Sequence, residues 1–145
     1  MRALLDINVI LALLDFDHVF HGQAHEWWGT AKKDGWASCP LTENGVVRIM
    51  SQRGYAAPDR YLAADVVKWL IEFARDTDHE FWPDDISLLD PNRFDPKAIL
   101  GPKQLTDIYL LGLAASKGGR LVTFDRKISP ATIPGASENN LHVIA

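Results

Sequence analysis

The chain has 145 residues, of which 47% are hydrophobic and 23% are charged, and its formal net charge is −4. This length suits one domain spanning residues 1–145, and the composition is that of an ordinary globular protein rather than a disordered one. A single cysteine excludes an internal disulfide. We find no basic-then-apolar leader and no membrane-length apolar run, so we expect a cytoplasmic protein that does not enter a membrane.

The first predicted element is a short apolar strand that ends on Asp6. The opening segment RALLDINVILALL places Asp6 after a Leu-rich stretch, and Asn8, a good helix N-cap, precedes a run of Val, Ile, Leu and Ala. In α/β proteins, ligands bind at the carboxyl ends of the strands, which is where this pattern puts Asp6. Because Asp also caps helices and closes turns, a purely local role for Asp6 stays open.

The rest of the chain alternates helical and extended patterns. Apolar residues three or four apart predict helices at about 19–33, 42–52, 59–75 and 106–117. Short apolar segments predict strands at 36–39, 120–124 and 141–144 and a strand-like region at 80–83 and 86–88, with a loop at 90–102. Strands that alternate with helices favour an α/β sandwich with a parallel sheet.

The predicted helix at 59–75 carries a wide apolar stripe. Such a stripe suits packing against the core, and it also suits a subunit interface. Its members are Leu62, Val66, Val67, Trp69, Leu70, Ile71 and Phe73.

Three further acids occupy places comparable to that of Asp6. Asp125 follows the strand at 120–124 as Asp6 follows the first strand. Glu43 and Asp107 each follow a threonine at a helix start, where an acid stabilises the helix dipole without any catalytic role. Asp107 precedes an apolar helix that must pack on the sheet, so its surroundings are not freely solvated. The local pattern leaves both roles open for Glu43 and Asp107.

Three histidines suggest a zinc site, but the residues between them do not match the zincin motif. His21 and His25 are four residues apart on a predicted helix, and His18 lies just before them. The zincin motif needs Glu directly after its first histidine, whereas this chain has Gly22 there. We therefore interpret these histidines as packing or capping residues.

Four segments together resemble a known family. LLDINVILALL, HVFHGQAHEWW, WASCPLTENGVVRIM and LTDIYLLGLAASKGGRLVTFD resemble the PIN domain, and specifically the VapC-type toxin ribonucleases of bacterial toxin–antitoxin pairs. The resemblance implies a three-layer α/β/α sandwich with a central, mainly parallel sheet. It also implies an RNA substrate, a cognate antitoxin protein and a homodimer. Asn8 and Thr123 match supporting polar positions, and the family's acidic quartet falls on Asp6, Glu43, Asp107 and Asp125.

Elementary chemistry agrees with this resemblance. Four carboxylates packed together cannot all stay ionised unless a positive charge joins them. Carboxylate oxygens select hard cations, so the expected cofactor is Mg²⁺ or Mn²⁺, which would support hydrolysis of an RNA phosphodiester. We expect Asp6 and Asp125 to be metal ligands and Asp107 to be a ligand or a water-orienting group. Glu43 is expected to be a ligand or to accept the proton of the attacking water.

Basic residues follow two of the acids. Arg48 and Arg53 follow Glu43, whereas Arg126 and Lys127 follow Asp125. Phosphates that flank the cleaved bond would lie beside such residues, although solvated surface charge explains them as well. The net negative charge argues against a polyanionic partner only if no divalent cations are bound.

Two other functions fit parts of the pattern. A phosphohydrolase could use Asp6 as a covalent nucleophile, but that pattern needs an acid where this chain has Asn8. Alternatively, a non-catalytic module could bind a protein partner while the acids only cap helices. Dependence on a divalent cation separates the nuclease from this binding module.

Overall fold

The computed structural model describes residues 1–56 and 61–145. Within these ranges, helices and strands alternate along the chain as the sequence predicts. The predicted helix start at residue 59 lies outside the described residues. The elements are β1 Ala3–Leu5, α1 Ile7–Leu14, α2 His21–Ala31, β2 Trp36–Ser38, α3 Pro40–Met50, α4 Ala63–Asp76, β3 His79–Phe81, α5 Leu105–Ser116, β4 Arg120–Thr123 and β5 Leu141–Val143.

The strands form one parallel sheet in the order β3-β2-β1-β4-β5. β1 is central, between β2 and β4, and Leu5 pairs in register with Val122. Because all the strands run the same way, their carboxyl ends meet at one edge of the sheet. The residues that follow β1 and β4, starting with Asp6, are therefore neighbours at that edge.

Successive side chains of β1 enter different cores. Leu5 packs with residues of α1 to α4, such as Ile10 and Val46, whereas Leu4 packs with residues of α5, such as Leu111. This alternation is the normal consequence of strand geometry, and fully burying each such side chain contributes about 1.5–3 kcal/mol. Helices therefore cover both faces of the sheet, which confirms the predicted three-layer α/β/α sandwich.

Helix α1 begins earlier than predicted. Its N-cap is Asp6, whose Oδ1 accepts a hydrogen bond from the backbone N–H of Ile7 at 2.8 Å. Asn8 is exposed in the first turn, so the prediction that it caps the helix is wrong. Asp and Asn are equally good caps, and the chain enters the helix directly after the strand because Asp6 itself is still extended.

Helix α3 starts at Pro40 rather than at Thr42. The Thr42 hydroxyl donates to the carbonyl of Cys39 at 3.1 Å and accepts from its N–H at 3.0 Å, so Thr42 stabilises the first turn from inside the helix. Gly45 allows α3 to lie close to α1, because a Cβ at this position would be 2.4 Å from Cδ1 of Ile7. This approach supports the start of α1, beside Asp6.

The strand-like region is only partly a strand. β3 covers His79–Phe81, whereas residues 86–88 are not a strand, contrary to the prediction. Ile86 and Leu88 pack against the core on the α5 side, so their two-residue spacing comes from a loop with both side chains turned inward.

The stripe on α4 divides into two halves. Val66 is buried, and Trp69 and Phe73 pack against the core, whereas Val67 and Ile71 have relative exposures of 42% and 60%. The core interpretation therefore holds for one half of the stripe, and the exposed half remains available for a protein contact. In the described part of the chain, no helix has the length and apolar character needed to cross a membrane.

Candidate active site

Three aspartates gather where β1, β4 and α5 meet. Asp6 directly follows β1, Asp125 lies two residues beyond the end of β4, and Asp107 is in the first turn of α5. The charges of Asp6 and Asp125 both act on Asp107, so the three carboxyls lie close together. The structure thus brings together three of the four acids that the sequence singles out.

Asp6 is buried and held at both oxygens. The Thr123 hydroxyl donates to its Oδ2 at 2.7 Å, and the N–H of Ile7 donates to its Oδ1. Burial raises the pKa of Asp6, the two hydrogen bonds oppose this, and the charge of Asp125 raises it further. Capping α1 occupies one oxygen of Asp6 and Thr123 orients the other, so the local role and a role in the site coexist.

Asp107 carries the largest electrostatic cost of the group. Burial, together with the charges of Asp6 and Asp125, raises the pKa of Asp107 to about 7. Near neutral pH, a substantial fraction of the Asp107 carboxyls therefore retains a proton. A proton here relieves the same repulsion that a metal cation would relieve.

Thr123 connects two of the acids. Besides donating to Asp6, its Oγ1 accepts a hydrogen bond from the N–H of Asp125 at 3.0 Å. The N–H of Lys127 then donates to Oδ1 of Asp125 at 2.8 Å. These contacts fit the supporting role predicted for Thr123. For Asn8, the other predicted supporting residue, the described residues offer its side chain no hydrogen-bond partner.

The chemistry of the donor set fits a hard divalent cation. Its atoms are carboxylate oxygens supported by a hydroxyl, which are the ligands that Mg²⁺ and Mn²⁺ prefer. As the side chains stand within 1–56 and 61–145, no three His, Cys, Asp or Glu residues are placed to hold one ion.

Glu43 belongs to a different set of hydrogen bonds from the three aspartates. Its Oε2 accepts a 2.5 Å hydrogen bond from the hydroxyl of Ser38, which in turn accepts one from Nε2 of His79 at 2.7 Å. Within the described residues, no hydrogen bond joins Glu43 to any of the three aspartates. In β2, Ala37 packs in the core on the α5 side, so the next residue, Ser38, faces the side of α3 and α4.

Ser38 and His79 are polar residues that sequence reasoning missed. With Glu43 they line a groove of about 410 Å³ whose other walls come largely from α3 and α4. Burial lowers the pKa of His79, so the ring is neutral at pH 7. Ser38 could have been found by its position at the end of a strand, but nothing in the local pattern around His79 distinguishes it.

The basic residues proposed to contact RNA lie on the surface. Arg48 is exposed on α3, and Arg53 is exposed just beyond it. Arg126 and Lys127 are exposed directly after Asp125, which puts their charges beside the three aspartates.

The histidines of α2 contact the end of α1. Nδ1 of His21 is 2.7 Å from the carbonyl oxygen of Ala12, and Nε2 of His25 is 3.1 Å from that of Leu13. These carbonyls belong to the last turn of α1 and have no partner within the helix. The capping interpretation is therefore confirmed for His21 and His25.

The fold and the three aspartates at its edge agree with comparisons to known proteins. The family model of the PIN domain matches residues 3–132. Ribonuclease VapC44 of Mycobacterium tuberculosis is 45% identical over 141 residues, which cover 97% of this chain and 98% of the relative.

Two other relatives from the same organism also match most of this chain. Ribonuclease VapC39 is 38% identical over 138 residues, covering 95% of this chain and 99% of the relative. Ribonuclease VapC38 is 42% identical over 123 residues, covering 85% and 84%. The chain therefore belongs to the PIN domain family, within its group of VapC ribonucleases.

Proposed function

We propose that this protein is an endoribonuclease toxin that depends on Mg²⁺ or Mn²⁺. The observation that carries the proposal is the convergence of Asp6, Asp107 and Asp125 at the carboxyl edge of the sheet, where burial and mutual repulsion raise the pKa of Asp6 and Asp107. Relatives named as ribonucleases match nearly the whole chain, which supports RNA as the substrate.

The three aspartates are the proposed cation ligands. When bound, the ion would lower the pKa of a coordinated water and neutralise charge at the scissile phosphate. Thr123 is a positioning residue, because its single hydroxyl orients Asp6 and fixes the backbone of Asp125. Glu43, which is hydrogen-bonded to Ser38 on the other face, is the smallest contributor among the four predicted acids.

The remaining surface accommodates the partners implied by the family. Exposed Arg126 and Lys127, with Arg48 further away on α3, would contact RNA phosphates. A cognate antitoxin would neutralise the toxin by covering the aspartates. The exposed half of the α4 stripe, including Val67 and Ile71, is available for the antitoxin or for a second copy of this chain in a homodimer. Such a toxin would act on RNA in the cytoplasm.

The test is RNA cleavage by purified protein that is free of antitoxin. Total RNA is incubated with Mg²⁺, with Mn²⁺ and with a chelator, and the products are separated by size. Asp107→Asn is compared with Asp34→Asn, which changes an exposed aspartate of the turn before β2, at the opposite edge of the sheet. We expect cleavage that needs the cation, is lost in Asp107→Asn and is retained in Asp34→Asn. Cleavage that persists in the chelator or in Asp107→Asn would contradict the proposal.

A further inference from the structure

A small cavity adjoins the three aspartates. It has a volume of about 170 Å³ and lies between the start of α5 and the segment that follows β4. Asp107 and Asp125 form part of its wall. The remaining wall includes four apolar side chains, namely Ala98, Leu100, Ile108 and Ile128, and three uncharged polar ones, namely Gln104, Ser129 and Thr132.

The size of this cavity limits what can enter it. Pockets that enclose a drug-sized ligand measure roughly 300–1,000 Å³, so this cavity holds a single ring system rather than a longer segment. Apolar side chains suit the flat faces of such a ring. Polar side chains suit an edge that carries hydrogen-bonding groups.

The polar groups are oriented by the backbone around them. Oε1 of Gln104 accepts a hydrogen bond from the N–H of Leu100 at 3.3 Å, which leaves the amide hydrogens of Gln104 to donate. The hydroxyl of Thr132 donates to the carbonyl of Ser129 at 2.7 Å, which leaves the oxygen of Thr132 to accept. The cavity thus presents a donor and an acceptor whose positions are set before any ligand arrives.

An unpaired nucleobase has the matching chemistry. Proteins recognise single-stranded RNA by enclosing bases between side chains and by hydrogen-bonding to their edges. Asp107 and Asp125 line this cavity and also belong to the proposed cation site. A base in the cavity would therefore belong to a nucleotide next to the cleaved bond. Lys127, which also lines the cavity and is exposed, lies where the phosphate of that nucleotide would pass.

We propose that this cavity receives the base of one nucleotide flanking the cleaved bond and sets the base preference at that position. This inference rests on the proposed nuclease function and adds a determinant of sequence specificity to it. Gln104 and Thr132 are the residues that distinguish one base from another, and Ala98 lines the cavity with a small side chain that a larger one could replace to fill it.

The experiment maps cut sites in a randomised single-stranded RNA pool by sequencing the products. Gln104→Met and Thr132→Val remove the hydrogen-bonding groups with little change of shape, and Ala98→Phe fills the cavity. The matched controls are Gln23→Met and Thr30→Val, both exposed on α2. Thr30 is a close match for Thr132, since its hydroxyl also donates to the carbonyl three residues earlier. The cation-induced rise in melting temperature, measured for every variant, reports folding and an intact cation site.

We expect a preferred base at one position beside the cut. Gln104→Met and Thr132→Val should each reduce that preference about tenfold, as expected when a hydrogen bond to a base edge is lost. Ala98→Phe should reduce cleavage of the preferred sequence by at least about tenfold while the cation-induced shift persists. The two controls should retain the wild-type preference.

Other results would overturn the inference in distinguishable ways. If the wild-type protein cuts nothing in the pool, the nuclease function fails and this inference fails with it. If the wild-type protein cuts and every cavity variant keeps its preference, the nuclease function stands and the inference is wrong. An unchanged preference combined with weaker inhibition of the variants by the cognate antitoxin would assign the cavity to a protein segment instead.

Discussion

The two polar clusters at the carboxyl edge of the sheet differ in how their charges are balanced. On the α5 side, Asp6, Asp107 and Asp125 face one another, and their mutual repulsion adds to burial in raising the pKa of Asp6 and Asp107. On the other side, Glu43 is the end of a chain of hydrogen bonds that runs from His79 through Ser38. The first cluster brings carboxylates against one another, whereas the second is a hydrogen-bond chain that contains one carboxylate.

This difference indicates which cluster is built to bind a cation. Buried carboxylates that repel one another are destabilising unless a proton or a metal ion joins them. Asp6 and Glu43 each accept a hydrogen bond from a hydroxyl, so what distinguishes the first cluster is the repulsion among its carboxylates. Cation binding should therefore depend strongly on the aspartates and weakly on the Glu43 cluster.

The largest expected effect is a contrast between Asp6→Asn and Glu43→Gln. Asp6→Asn should lower the cleavage rate about a thousandfold, because it removes a proposed cation ligand, and a bound cation supplies several kcal/mol of transition-state stabilisation. Its fold should persist, since Asn also caps helices and can accept from the N–H of Ile7. Glu43→Gln should lower the rate about tenfold or less. Single-turnover cleavage of one RNA by both variants measures the contrast, and equal losses would place Glu43 among the cation ligands.

Thr123→Val should have the next largest effect. It removes the hydroxyl that orients Asp6 and Asp125, and losing such support typically lowers metal affinity by about 10- to 100-fold. Titration calorimetry with Mn²⁺ measures this affinity. Thr123→Ser keeps the hydroxyl and should restore most of it. Equal affinity of Thr123→Val and the wild-type protein would show that Asp6 needs no such positioning.

The shifted pKa of Asp107 predicts how pH affects the stability of the metal-free protein. An Asp with its ordinary pKa of 3.8 loses its proton readily when unfolded, whereas Asp107 in the folded protein holds its proton until about pH 7. The stabilisation from this proton is complete below about pH 4 and is lost as the pH rises through 7. The melting temperature in chelator should therefore fall by a few degrees between pH 5 and pH 8.

Asp107→Asn tests whether this residue is the cause. The variant should show a flatter pH dependence, and at pH 8 it should be more stable than the metal-free wild-type protein. Asp34→Asn, a change at an exposed site, should behave as the wild-type protein does. A slope that is the same in all three proteins would assign the pH dependence to other groups.

The smallest effect on cleavage is expected for Ser38→Ala. This variant removes the hydroxyl that joins His79 to Glu43, so unfolding should become easier by about 1–3 kcal/mol because a partner in a buried hydrogen bond is lost. Cleavage should stay within about twofold of wild type, because Ser38 faces away from the aspartates. Urea denaturation and the cleavage assay measure the two quantities. A large loss of cleavage in a folded Ser38→Ala protein would show that the two clusters act as one site.

Local pattern was sufficient for much of this molecule. Short apolar segments ending on Asp6 and Asp125 predicted the strands that carry them, and the helical spacing that follows Asp107 predicted α5. The resemblance added the layer order and the full set of acids. Predictions failed where two signals were locally equivalent, as with the rival caps Asp6 and Asn8, or where a loop imitated strand spacing, as with Ile86 and Leu88.

The sequence by itself determined the alternation of helices and strands and the acids at their ends, because periodicity and capping depend on neighbouring residues. It could not determine which acids share a face. That depends on the register of β1 against β4, which places Asp6 beside Thr123, and on the alternation in β2, which turns Ser38, the hydrogen-bond partner of Glu43, toward α3 and α4. The cavity beside Asp107 likewise combines residues from separate parts of the chain, such as Ala98 and Thr132, whose proximity exists only once the sheet and α5 have packed.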